Sequence, residues 1–205
     1  MCAPHVRRGD VASPAMVEAE EIVRRAWEEL PQGDRDLLQE IGADKWRICR
    51  RALGTYADEL LRSTGCGSLS AAKIAWVNDA IGLWVPELRV VLINESHPSF
   101  DGLDRATLIY DLSWAAWHEW GHALSCDHIG EEDIAAGRYY VGLLPKAFVR
   151  RIRHGGYRRR EYTHEVIAEI YAMLMARRRK GNTGRPSWLH PEVYELVRRA
   201  VGWHQ

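Results

Sequence analysis

The chain has 205 residues, 46% of them hydrophobic, and its 28 Lys+Arg balance 28 Asp+Glu to a formal net charge of zero. That suits one globular domain, or one with a helical extension, and provides no global field to draw in nucleic acid or an anionic membrane. No apolar run is long enough to span a bilayer. Met1 to Asp10 lacks the apolar stretch of a signal peptide, so a cytoplasmic location is expected.

Residues 1–12 read as a loose tail. Ser13-Pro14 starts a helix, with serine as cap and proline at the first helical position, and Ile22, Val23, Ala26, Trp27 and Leu30 form its apolar stripe. A short helix opens at Gly33-Asp34. From Asp44 onward Trp46, Cys49, Leu53, Tyr56 and Leu60 recur at spacings of three and four, which predicts another helix ending in the loop Ser63 to Ser68. Ala72 to Asn78 and Leu88 to Asn94 are rich in β-favouring residues and are predicted strands, with a Gly- and Pro-containing loop between them. The second is expected to offer an edge to which an extended peptide can pair. A long helix is predicted from near Asp104 to about Ser125. Shorter helices follow at Glu131 to Ala136 and from Leu144-Pro145-Lys146. A clear helix runs from about Arg160 to Arg179, and Pro191 opens the last one. Residues 1–68 form an N-terminal helical region and 69–205 the part that carries the chemistry, the two forming one compact unit or separate ones. The four cysteines (Cys2, Cys49, Cys66, Cys126) include no C-x-x-C pair, which argues against thiolate zinc and for reduced thiols.

Inside the Asp104–Ser125 helix lies His118-Glu119-Trp120-Gly121-His122, an H-E-x-x-H sequence among apolar residues. Residues four apart stand one turn above each other on one helix face, so His118 and His122 offer two imidazoles to a single zinc ion. Glu119 sits one step round, within reach of a water at the metal and suited to act as general base. That pattern predicts hydrolysis of peptide bonds and leaves a third ligand to be found.

Two segments can supply it. Glu165 and Glu169 are four apart on the later helix, where one carboxylate can ligate zinc while the other fixes a ligand histidine by a hydrogen bond. His128 is the other candidate. It completes the H-E-x-x-H-x-x-x-x-x-H spacing, in which Ser125 stands where the pattern usually has glycine. HEWGH followed by the E-x-x-A-E segment Glu165 to Glu169 resembles the gluzincins, zinc peptidases with a downstream "glutamate helix". Within that family the chain looks most like the catalytic domain of anthrax lethal factor and the short single-domain members, over roughly residues 70–180. The resemblance implies that Glu165 is the third ligand and Glu169 its supporting carboxylate. It also implies an α+β, zincin-like fold with a small mixed sheet, an active-site helix, the glutamate helix and an N-terminal helical region. The His128 spacing resembles the metzincins instead. They need a methionine turn beneath the metal, and neither Met173 nor Met175, in a strong helix, provides one. Glu165 therefore fits better.

Tyr157, beside Gly155-Gly156, is a candidate to stabilise the oxyanion of a tetrahedral intermediate. The basic cluster from Arg150 to Arg160 lacks the interleaved aromatics of a single-strand binder and is expected to be a solvated face. The expected partner is a peptide or protein substrate, with no nucleic acid or membrane. Two other classes stand beside this reading. One is a non-catalytic, regulatory zinc-binding protein. The other is a helical interaction protein in which the motif is coincidental.

Overall fold

A computed structural model describes residues 14–126, 129–154 and 161–203. The fold is α+β and mostly helical, with the order α1 (Pro14–Glu28), α2 (Gln32–Glu40), β1 (Lys45–Cys49), α3 (Leu53–Thr64), α4 (Ala71–Asn78), β2 (Gly82–Val85), β3 (Val90–Asn94), α5 (Arg105–Ser125), α6 (Glu131–Ala135), α7 (Gly137–Gly142), α8 (Lys146–His154), α9 (Tyr162–Arg179) and α10 (Pro191–Ala200). No helix among the described residues is long and apolar enough to cross a membrane.

The three strands form one mixed sheet in the order β1-β3-β2. β3 is parallel to β1 and antiparallel to β2. All five residues of β3 are buried, because the strand has neighbours on both edges and helices on both faces. On one face Trp46, Ile48, Trp84, Val91 and Ile93 join the main core, which α1, α5 and α9 also build. On the other face Leu83, Val85, Val90 and Leu92 join a smaller core with Leu53, Ala57 and Leu61 of α3 and Val77 of α4.

The pattern reading is corrected at three places. Residues 45–49, read as the start of a helix, form β1. Exposure alternates from Lys45 to Ile48, and the bend after Cys49 separates the strand from α3. Ala72 to Asn78, read as a strand, is helical. Ser70 caps α4 by accepting from the Lys73 N–H at 3.2 Å, and Ile74, Val77 and Asn78 form the inward stripe of a helix. The loop read between the two strands contains β2. As a result β3 is the central strand, and the edges of the sheet belong to β1 and β2.

The long helix α5 starts where expected, with Asp104 accepting from the Thr107 N–H at 2.9 Å. Its tryptophans pin it in place. Trp120 packs edge-on against Trp27 of α1 and Trp46 of β1, with ring centroids 5.3 and 6.0 Å away. The Trp117 indole N–H donates to the Ala26 carbonyl at 3.0 Å, and the Arg179 guanidinium lies 4.5 Å from the Trp117 ring centroid. Away from α5, Asp34 of α2 gathers two distant donors. The Tyr171 hydroxyl and the Trp203 indole N–H each donate to its carboxylate at 2.6 Å.

Asp34 is 1% exposed. Burial pushes its carboxyl from 3.8 up to about 6, against the lowering effect of Tyr171, Trp203 and the charge of Arg178. A carboxyl raised in the folded state stabilises the fold below its unfolded value. That contribution is lost as pH rises from about 4 through 6, and it amounts to on the order of 3 kcal/mol. Chemical denaturation of wild type and Asp34→Asn across pH 4 to 7 is expected to show a decline in the wild type that the variant lacks.

Candidate metal centre

His118 and His122 lie one turn apart on α5, and Glu165 faces them from the first turns of α9. The helices meet at Gly121, where an added Cβ would lie 2.9 Å from the Ala168 Cα. That approach brings the three side chains together. The Nε2 atoms of His118 and His122 are 3.1 Å apart. Glu165 Oε2 is 3.6 Å from His118 Nε2, and Oε1 is 3.3 Å from His122 Nε2. All three ligand atoms lie within 4.8 Å of one another.

The site fits a divalent ion. Two imidazole nitrogens and a carboxylate oxygen form a donor set typical of zinc. Glu165 Oε2 is buried with no hydrogen-bond partner, an arrangement that burial penalises unless a cation compensates it. The electrostatics favour positive charge at this point. Burial pushes Glu165 up, but the imidazoles of His122 and His118 outweigh it and hold the carboxyl well below its ordinary range. Burial pushes His118 down, yet Glu165, Glu119 and Glu169 together raise it to about 9. Glu169, one turn beyond Glu165 and 9% exposed, thus acts on the ligand His118 through its charge.

Glu119 is buried beside this cluster against the sheet. Its Oε2 accepts the Trp84 N–H from β2 at 2.7 Å, and its side chain fills the space that a Cβ on Gly82 would need, 2.7 Å from its Cγ. The edge strand therefore fixes the carboxylate through its backbone.

The ligands open into a cleft of 770 Å³ between α5 and α9 on one side and α4 with β2 on the other. Residues that the pattern reading passed over build much of it. Lys73, Trp76 and Val77 come from α4, and Gly82 to Val85 form β2. The short L-W-V run between Gly82 and Pro86 was the available signal for β2. His164, unassigned from sequence, also lines the cleft, 3.5 Å from Ser125 Oγ, and burial followed by the charge of His122 lowers its pKa. Its signal was its place directly before Glu165. Tyr157 and the alternative ligand His128 lie outside the described residues, as do Arg158 to Arg160 of the basic cluster.

Gly121→Ala forces α5 and α9 apart, and is expected to cost about 1–3 kcal/mol of stability and to lower Zn2+ affinity about 10- to 100-fold. Gly142→Ala, where an added Cβ meets nothing within 4 Å, serves as the control and should change neither. Calorimetric zinc titration together with thermal melts reads both effects.

No family model matches the chain, and neither a curated protein nor a solved structure matches it.

Proposed function

We propose that the protein is a zinc-dependent endopeptidase of the gluzincin kind, with a zincin-like fold in which His118, His122 and Glu165 hold the ion. The observation that carries this reading is the convergence of those three side chains within 4.8 Å at the floor of an open cleft, with the buried carboxylate of Glu119 beside them. A zinc ion in this site supplies Lewis-acid polarisation of the scissile carbonyl and makes the attacking water more acidic, towards a pKa of about 7.

The protein's own groups do the rest. Glu119 takes the water's proton and passes it to the leaving amine, so that the peptide bond breaks to an acid and an amine. The Trp84 N–H keeps one Glu119 oxygen engaged, which restrains the carboxylate while the other oxygen serves the water. Glu169, one turn beyond Glu165 and close enough for its charge to act on His118, suits the role of the carboxylate that orients this neutral ligand. The outer edge of β2 borders the cleft, and its main-chain groups other than the Trp84 N–H that Glu119 takes suit pairing with an extended peptide.

Glu119→Gln is expected to retain one equivalent of zinc by elemental analysis and to lose turnover of a cleavable peptide by roughly 10²–10⁴-fold. Full activity in that variant would overturn the assignment of the base. Stoichiometric zinc without hydrolysis of any peptide in a mixed library would favour a regulatory zinc site instead.

A further inference from the structure

A second cavity, of 570 Å³, lies outside the carboxyl ends of the two parallel strands. Arg50, Arg51 and Ala52, the turn from β1 into α3, form one wall. The residues from Asn94 to Pro98, where β3 ends, form another, and Asn78 and Asp79 close it from α4. Crevices beyond the carboxyl ends of parallel strands are where open sheets place ligands, and the start of a following helix adds positive potential. The N-cap of α3 is Ala52, which makes no side-chain bond to the helix amides. Asp79 also lines the metal cleft, so the two cavities adjoin at the end of α4.

Two asparagines in this wall have their oxygens already committed. Asn78 Oδ1 accepts the Thr55 N–H at 3.0 Å and so caps α3 from α4. Asn94 Oδ1 accepts the Ser96 N–H at 3.1 Å and the Ser96 hydroxyl at 3.0 Å. Those N–H donors fix which end of each carboxamide is oxygen. Each asparagine therefore keeps an NH2 group with no acceptor among the described residues. Asn94 is 5% exposed, and unpaired donors on so buried a side chain are costly unless an acceptor enters the cavity. The arginines have donors to spare as well. Arg50 Nε pairs with Glu95, and Arg51 Nη1 pairs with Glu59 at 2.8 Å, which leaves the rest of each guanidinium fork. Among the described residues the wall carries these two guanidiniums and one carboxylate, that of Asp79. His97 supplies rigidity. Its Nδ1 accepts the Ser99 N–H at 3.2 Å, so Nε2 carries the proton and donates to the Asp79 carbonyl at 3.1 Å, which ties the chain after β3 to the end of α4.

We propose that this cavity binds the phosphate group of a small molecule, at a site separate from the metal centre. Donors with a positive balance, held in place before anything enters, suit an oxyanion, and guanidinium forks match phosphate oxygens in particular. The cavity is larger than a bare phosphate needs and falls within the range of small-molecule sites. The site does not depend on the peptidase reading. Isothermal calorimetry on the purified protein tests it, with inorganic phosphate, phenyl phosphate and acetate as separate titrants. Phosphate and its ester should bind at one equivalent, and acetate about tenfold or more weakly. Tighter binding of phenyl phosphate than of inorganic phosphate identifies an organic monoester as the ligand, and equal binding identifies free phosphate.

Asn94→Asp keeps the oxygen that Ser96 needs, and Asn78→Asp keeps the cap on Thr55, while each exchanges an NH2 group for a second carboxylate oxygen. Both variants should hold their melting temperature and lose phosphate affinity about tenfold or more. Arg51→Gln, at an exposed position, should also weaken binding, whereas Asn182→Asp, an exposed charge control in the turn after α9, should not. In cobalt-substituted protein the visible spectrum of the metal should stay constant while phosphate saturates its site. A cobalt spectrum that titrates with phosphate places the anion at the metal and overturns the proposal. So does binding that survives both asparagine variants and Arg51→Gln, or that falls equally in Asn182→Asp. Acetate binding as tight as phosphate, or no binding of any titrant, overturns it too.

Discussion

At Gly121 the backbone of α5 closes on the Ala168 Cα of α9, with the Tyr171 side chain packed against the same point. Small residues at a crossing let two helices approach more closely than ordinary ridge-and-groove packing allows. Here the closeness brings the candidate metal-binding side chains together, because the packing stripe and the stripe that carries them are the same. On α5 the stripe is His118, Gly121 and His122; on α9 it is Glu165, Ala168 and Glu169. Moving the helices apart by the width of one methyl would draw the carboxylate away from both imidazoles. The tryptophans around the motif serve the same end. Trp117 and Trp120 anchor α5 to α1 and β1, so α9 docks on a helix already fixed in rotation.

The crossing also explains why such polar groups survive in the middle of a core. Glu119, Glu165 and Glu169 are buried beside wholly apolar neighbours such as Ile167 and Ile170. Each carboxylate has a specific compensation: a backbone N–H for Glu119, two imidazoles for Glu165, and the charge of His118 for Glu169. Removing one member leaves the others as uncompensated buried charges, which costs more than the lost contact itself. The cluster is therefore conditional on all of its parts.

The parts of the fold legible in the sequence are those with long periodic patterns. α5 and α9 carry apolar stripes over many turns, and spacing alone aligns His118 with His122 and Glu165 with Glu169. The run Val90 to Asn94 reads as a strand because every position in it is apolar until Asn94. What spacing could not show is which strands pair. β1 was hidden because Trp46, Cys49 and Leu53 happen to fall at helical intervals, and its partner β3 is far away in the chain. α4 was hidden because Ile74, Trp76 and Val77 favour strands locally, while the Ser70 cap and the contacts of α3 with α4 decide otherwise. β2 is only four residues long, too short for alternation to be read.

That least legible strand lies between the two cores. The sheet separates a large core, which includes α5 and α9, from a small core under α3 and α4, and β2 lines the cleft between them. Successive residues of β2 serve opposite sides of that boundary. Gly82 gives Glu119 its space and Trp84 gives it a hydrogen bond, while Leu83 and Val85 turn toward the smaller core. Because side chains alternate strictly along a strand, a shift of one residue in the β2 register would exchange these roles at once. The pairing of Leu83 with Leu92 and Trp84 with Val91 therefore does more than hold the sheet together. It sets which residues of the strand hold Glu119 and which pack on the smaller core.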